Sequence, residues 1–420
     1  MHDTAPGIEV TGIGRSREDH PILALTVGHG DVTITVKGNA HADEPAGTAT
    51  CLLIARLLAE HPAWRLLADR ARFCLIPTAN PDGLARNQGW LVPPFDLRRY
   101  FLHVYRDLPR DDVEFGYPSG DDRAGRPENL ACARFFESCS PIAAHLSLHS
   151  MVFTGGAWFL IAAADIAPFA PALAFLTDAC DWEGLPLHDE DRRGQRGFAR
   201  LRPGFHTIPT VEGMRAFYER SGDAALVRQF RLNSMQYALS RCGARFAAVS
   251  ELPLAYDPVL ADMTPADQTR VEIERQRITE QSESLDELDA IVDRLAGVSL
   301  SDEGQSWLAY YRGYLSYRRS GLRSLADDLD RYADRPALGR DLHDVALARL
   351  RDRVFNAAAG VRLLHSSQDD HLRRRQTTYR QEFDARFDEM MSRFHFRPLP
   401  LRDQVRLQAA TILAGFLAGH

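Results

Sequence analysis

The sequence predicts an α/β fold: a mixed, twisted sheet flanked by helices over residues 1–262, followed by an all-helical extension over residues 263–420. Two observations carry this expectation. Up to about residue 260, short apolar runs of strand character alternate with longer segments of helical period, the pattern of a sheet covered on both faces. After residue 262 glycines thin out, no convincing strand remains, and the chain reads as amphipathic, charge-laced helices.

Strands are expected at 23–27 (LALTV), 32–37 (VTITVK), 72–77 (RFCLIP), 143–148 (AAHLSL), 157–163 (AWFLIAA) and 245–250 (RFAAVS). Helices are expected between them at 47–60, 128–138, 166–180 and 222–241. His29, in VGHGD between the first two strands, reads as part of a hairpin turn. In the extension, Thr264-Pro265-Ala266-Asp267 has the look of a helix start, Thr as N-cap and Pro in the first turn. Further helices are expected at 303–319, 321–333, 337–364, 367–393 and 401–418, the last apolar enough to dock on a core.

Bulk properties exclude several classes. With 420 residues and 45% hydrophobic content, the chain can bury a large core. A net charge of -7 argues against a nucleic-acid footprint. No run of 18 apolar residues suggests a membrane span, and MHDTAPGIEV lacks the basic and apolar regions of a leader, so a cytoplasmic location is expected. The six cysteines are scattered, form no C-x-x-C pair and sit mostly in apolar segments; buried, reduced thiols are expected.

Chemistry concentrates at strand ends. GNAHADEPAG (38–47) places His41 and Glu44 in the turn after a strand, at the carboxyl end, where ligands bind in open α/β sheets. Three apart in a turn, an imidazole and a carboxylate can converge on one ion, and a catalytic zinc takes three such ligands. Alone the pair is equally a polar loop with Glu44 at a helix N-terminus. Asp43 between them reads as solvent-facing or structural. Three more strand ends add weight: IPTANPDGLARNQGW (76–90), with a turn and then Arg86; IAAHLSLHS (142–150), ending on His149; and RFAAVSELP (245–253), ending on Glu251. Two histidines, two glutamates and an arginine make a coherent set for metal-assisted hydrolysis.

The order and wording of these stretches resemble the zinc carboxypeptidase family, the carboxypeptidase A-like metallopeptidases, over residues 10–260. TGIGRSREDHPILALTVG is similar to the family's opening phrase, GNAHADEPAG to its His-x-x-Glu zinc motif, and NPDG to its signature turn. HLSLHS and SELP are similar to the strands that bring its third ligand and its catalytic Glu. The resemblance implies one zinc ion held by His41, Glu44 and His149, with Glu251 as general base. It implies an oxyanion-stabilising arginine, here Arg86, with Arg98 and Arg99 as rivals. It implies an arginine for the substrate's terminal carboxylate, matched by Arg110 in DLPRD, and a carboxylate orienting a zinc histidine, matched by Asp107. Pro109 stands where the family has an amide donor, and the family's capping tyrosine has no clear counterpart; Gln229 and Tyr237 are nearest.

The activity so implied is removal of a C-terminal residue from a peptide. Rivals are deacylation of an N-acyl amino acid, hydrolysis of cell-wall peptides, and a non-catalytic binding module. The extension could be a lid, a homo-oligomer interface or a docking element. Other charged stretches carry blander expectations. His145, on the same strand face as His149, is read as a core residue. His188 to Asp191 is read as a solvated acidic loop. Arg192, Arg193 and Arg196 are read as a surface loop, with the lining of a pocket for acidic substrates as the alternative. Arg373 to Arg375 is read as a solvated helix face.

Overall fold

The computed structural model describes residues 6–119, 125–333 and 335–420; residues 1–5 of the N-terminal stretch read above lie outside them. The chain opens with β1 (Ile8–Arg15), β2 (Pro21–Val27) and β3 (Val32–Gly38), then α1 (Ala46–Glu60), α2 (Pro62–Ala68) and β4 (Ala71–Ile76). Short helices α3 (Pro81–Arg86) and α4 (Leu97–His103) precede α5 (Pro127–Ser138), β5 (Ala144–Thr154) and β6 (Trp158–Ala162). Next come α6 (Ala170–Trp182), the small strands β7 (Arg200–Arg202) and β8 (Phe205–Thr207), helices α7 (Val211–Glu219), α8 (Ala224–Val227) and α9 (Ser234–Arg241), and β9 (Phe246–Tyr256). The C-terminal region holds β10 (Pro265–Thr269), α10 (Arg270–Ala296), α11 (Asp302–Ala326), β11 (Pro336–Leu338), α12 (Gly339–Leu363), α13 (Asp370–Arg393), β12 (Arg397–Pro398) and α14 (Leu401–Gly419).

The main sheet runs β1-β2-β4-β3-β5-β9-β6-β8-β7, with β12 added beside β9. Its centre is parallel, β4, β3, β5 and β9 running the same way, while β1 and β2 are antiparallel to their neighbours and β6 is antiparallel to β9 but parallel to β8. The mixed sheet matches the expectation. β5 and β9 both run several residues past their expected ends, because they go on pairing with each other as far as Thr154 and Tyr256. Cys51, Ile54, Ala55 and Leu58 of α1 recur at helical spacing and bury against one face of the sheet. The large side chains among them, Ile54 and Leu58, each contribute about 1.5–3 kcal/mol when fully buried.

Several local expectations change. β2 and β3 form no hairpin: β4 lies between them. Gly28 and Gly30 flank His29 because the 68–71 backbone crosses so closely that a Cβ at either would overlap it. NPDG opens a helix rather than a bare turn: the Asn80 side chain caps Gly83 N and Pro81 takes the first helical position. The helix expected at 222–241 is split into α8 and α9 by the segment that pairs Leu232 with Tyr117, and Asn233 caps the second piece. Thr264 does not start a helix. The segment after it is extended against β11, and α10 begins at Arg270 with a Thr269–Glu272 capping box. The helices expected at 303–319 and 321–333 are largely one, α11; Gly321 stays helical, where it faces Tyr218.

The helical region is packed onto the sheet-bearing part rather than tethered to it. Leu347, Leu350 and Val354 of α12 and Phe387 of α13 share a core with Phe101 and Leu102 of α4. Buried Arg362 donates to the carbonyl of Leu102 at 2.9 Å and to that of Phe101. The last helix, α14, returns to the sheet and lies against α1 and α6, Leu407, Ile412 and Phe416 entering the main core. Among the described residues no helix is long and apolar enough to cross a membrane.

Candidate active site

The turn after β3 is locked before any ligand is considered. Gly38 carries no side chain because the Gly47 carbonyl carbon lies 2.6 Å from where its Cβ would be. Asn39 takes φ +48°, a value asparagine tolerates, and its Nδ2 donates to His41 O at 3.0 Å. Ala79 and Asn80 donate from their backbone N–H groups to the carbonyls of Gly38 and Asn39, tying this turn to the NPDG helix. His41 and Glu44 are thereby buried and turned toward β5.

There they meet His149. His41 Nδ1 lies 2.9 Å from Glu44 Oε1, His149 Nδ1 lies 2.8 Å from Glu44 Oε2, and the two Nδ1 atoms are 2.9 Å apart. Glu44 Oε2 is fully buried and has no hydrogen bond of good geometry. Two imidazole nitrogens and one carboxylate oxygen, within 4.8 Å of one another and one oxygen unsatisfied, fit a divalent zinc. Burial and Arg106 push the His41 pKa down, but Glu44 and Asp112 outweigh them and raise it to about 10. His149 is raised to about 9: burial opposes the charged ring, and Glu44 more than compensates. A metal on these nitrogens must displace those protons.

Glu251 enters from β9. It pairs in register with His149 on one side and with Trp158 on the other, so its carboxyl sits beside the ligand group. Burial pushes its pKa up to about 7, despite the opposing pull of His149. His145 lies on the same face of β5, with Nδ1 2.9 Å from Thr35 Oγ1 and Nε2 unpartnered; it is a core residue, its pKa lowered by burial to about 3.

The carboxylates behind the histidines come from a stretch the sequence reading passed over, Asp112-Val113-Glu114. Asp112 Oδ2 is 3.7 Å from His41 Nε2, and Glu114 Oε2 is 3.3 Å from His149 Nε2. The chain bends from Val113 to Phe115, so that both acids turn inward while Val113 fills an adjoining apolar core. Glu114 is also the counter-ion of the fully buried Lys37 and accepts from Ser234 N at 3.0 Å and Ser234 Oγ at 2.6 Å. The usable signal was two carboxylates two residues apart after DLPRD.

Asp107 is placed otherwise. Its Oδ2 accepts from Asn80 Nδ2 at 2.5 Å, and burial raises its pKa to about 7. It lines the rim between the main cavity and a second groove. Arg86 and Arg110 line that second groove and not the main cavity. Arg86 is paired with Glu18 and stacked over Tyr105, 4.9 Å from the ring centre. Arg110 is two-thirds exposed and bonded to Asp111 at 3.1 Å. Arg98 pairs with Asp384 and Asp388 of α13, and Arg99 donates to the carbonyls of Val92 and Pro94. The cation beside the ligands is Arg106, with Nη1 2.6 Å from Glu44 Oε1 and 2.8 Å from Asp43 Oδ1. Asp43 is buried and also accepts from Tyr100 OH at 3.2 Å, so of its two readings the structural one describes it.

The main cavity is about 700 Å³, and its far wall is the helical region: Tyr314, Tyr317, Arg318 and Tyr332 face into it. The tyrosine-rich phrase YYRGYLSY at helical spacing was the sequence signal for this wall. Tyr237 is buried in another core, its OH donating to Glu137 at 2.6 Å, and Gln229 lines a different small pocket. The 188–196 loop is no surface loop. His188 and Glu190 are buried, and Arg192 and Arg196 line the cavity.

Residues 1–152 match the family model described as zinc carboxypeptidase. A curated relative, carboxypeptidase 2 of Trichophyton rubrum, is 32% identical over 82 residues, which is 19% of this chain and 15% of that protein; the match thus spans a small part of the relative's length. Among solved structures, a candidate metallopeptidase from Shewanella amazonensis is similar at 16% identity and a TM-score of 0.41, over 59% of this chain and 79% of its own. Carboxypeptidase A from Helicoverpa armigera is similar at 15% identity and a TM-score of 0.38, over 59% of this chain and 60% of its own.

Proposed function

We propose that this chain, similar over residues 1–152 to the zinc carboxypeptidases, is a zinc-dependent hydrolase that removes the C-terminal residue of a short peptide. The observation that carries the reading is the convergence of His41, Glu44 and His149 with Glu251 beside them. Zinc held by those three side chains would polarise the scissile carbonyl and bring the pKa of a water to about 7. Glu251 takes a proton from the attacking water and hands it to the leaving amine, a cycle suited to a carboxyl whose pKa burial has raised. Asp112 and Glu114 hold the imidazoles of His41 and His149 in orientation. Arg106 faces the reacting carbonyl and takes the oxyanion role first assigned to Arg86.

A cavity of about 700 Å³ walled by helices suits a short substrate. The same feature favours the second reading, deacylation of an N-acyl amino acid. The six cysteines are free and buried, which fits the reducing, cytoplasmic setting we assign to the protein.

The test is metal content with activity. One zinc per chain, hydrolysis of acyl-dipeptides or N-acyl amino acids, loss of activity with a chelator and recovery on adding zinc are expected. A chelator-insensitive protein without zinc overturns the reading.

A further inference from the structure

The cavity is rich in arginine, and its arginines are not equivalent. Arg106 is held by Glu44, Arg192 by Glu190, Arg270 by Glu274, Arg277 by Asp344, and both Arg318 and Arg351 by Asp352. Arg196 differs. Among the described residues no carboxylate pairs with it and no group accepts from its guanidinium, and its Nε is buried without a partner. Its planar head is stacked 4.2 Å from the ring centre of Phe217 and 5.5 Å from that of Tyr218. Stacking fixes the plane of the fork and leaves its edge for a ligand.

The backbone that presents Arg196 is itself held in an uncommon state. Arg196 has φ +58°, a left-handed value unusual for a long side chain. Thr210 N donates to its carbonyl at 3.3 Å, and its carbonyl carbon sits 2.6 Å from where a Cβ on Gly213 would be. The preceding loop is pinned by the helical region at alternate residues. Arg340 donates to Asp189 O, Arg335 to Asp191 O at 2.5 Å, and Arg331 to Arg193 O at 2.7 Å. Gln195 donates to Asp328 Oδ2 at 3.1 Å.

We propose that Arg196 receives a carboxylate of the substrate, and that the helical region serves this site by holding the 189–196 loop against the cavity. An otherwise unmatched guanidinium, stacked and partly desolvated, gains most from an anion that accepts two parallel hydrogen bonds, and a carboxylate is that anion. Arg110, the arginine first matched to this task, lies outside the cavity. The carboxylate is either the free C-terminus or an acidic side chain next to the scissile bond. The proposal rests on the hydrolase reading for its substrate, and its test separates the two.

The experiment is equilibrium binding to the zinc-loaded protein of three probes: N-acetylphenylalanine, its uncharged amide, and N-acetylglutamic acid α-amide. Arg196→Gln is expected to weaken a carboxylate probe by about 10- to 100-fold, the range of a lost hydrogen bond to a charged group, and to leave the uncharged amide unchanged. Arg196→Lys should recover part of the loss. Loss confined to N-acetylphenylalanine identifies a terminal carboxylate, and loss confined to the glutamate probe identifies a side chain; both support the proposal. Equal weakening of charged and uncharged probes, or no weakening of either, overturns it. The Arg331→Ala, Arg335→Ala double variant should weaken the same carboxylate probe at unchanged zinc content, and unaltered affinity removes the helical region from this role. Binding that depends on Arg196 in a protein that hydrolyses nothing would sink the hydrolase reading alone.

Discussion

His149 and Glu251 are register partners on adjacent parallel strands, β5 and β9. In-register residues of a parallel pair project to the same face, so the third candidate ligand and the candidate base are set side by side by the ladder itself. A one-residue slip would turn Glu251 to the opposite face of the sheet. The buried apolar neighbours on both strands make such a slip costly.

Glu251→Gln keeps the size and loses the proton-accepting group. Turnover is expected to fall by about 10²- to 10⁴-fold, the usual worth of general base catalysis, at unchanged zinc stoichiometry. Steady-state kinetics with metal analysis checks this; near-normal turnover would remove Glu251 from the mechanism.

The Lys37–Glu114 pair should show as stability and as metal affinity separately. Both side chains are almost wholly buried. Glu114→Gln leaves the ammonium unpaired and is expected to cost about 3–5 kcal/mol in urea unfolding. Adding Lys37→Met should restore most of that. Zinc affinity is expected to drop by about 10- to 100-fold in both variants, because both lose the carboxylate behind His149. Recovery of zinc affinity in the double variant would contradict this role for Glu114.

Acid sensitivity should begin near neutral pH. His145 and His188 have folded pKa values of about 3; burial lowers both, with Lys37 adding for His145 and Arg340 for His188. The unfolded value is about 6.5. Between these values the unfolded chain binds a proton that the folded chain refuses, so stability is full above about pH 6.5 and falls as pH drops toward 3. At pH 5 each histidine accounts for about 2 kcal/mol of loss. Unfolding of His188→Asn and the parent protein from pH 8 to pH 5 checks this: the variant should show a shallower slope, and parallel slopes would refute it.

The arginines can be told apart by kinetics. Arg86→Ala and Arg110→Ala are expected to change kcat/KM by less than about threefold, since both residues line the neighbouring groove. Arg106→Ala should lower kcat by about 10²-fold or more, the worth of an oxyanion donor. A reversed pattern would return the oxyanion role to Arg86.

Much of the central sheet was legible because its strands are apolar runs that need no partner to be recognised. β3, β4, β5, β6 and β9 all lie where those runs are. β1, exposed along much of its length, and the short strands β7, β8, β10, β11 and β12 carry no such signal and exist only through pairing. The same holds at the site. His41, Glu44, His149 and Glu251 were legible because each ends a strand or sits in the turn after one, where type and position coincide. Asp112, Glu114 and Arg106 were not, because they lie in irregular backbone, where side-chain direction depends on what the chain packs against.

By itself the sequence determined the mixed sheet, the helical C-terminal region and the His-x-x-Glu turn with its two later strand ends, since these depend on local periodicity and residue type. Only the tertiary structure decided which carboxylates stand behind the histidines, which arginine faces the ligands, and that the helical region walls the cavity. Those are contacts between residues well separated along the chain: 62 positions lie between Arg106 and Glu44, and 151 between Arg340 and the Asp189 whose carbonyl it meets. Such contacts arise when buried apolar faces dock, as α12 does on α4, and carry the charged side chains with them.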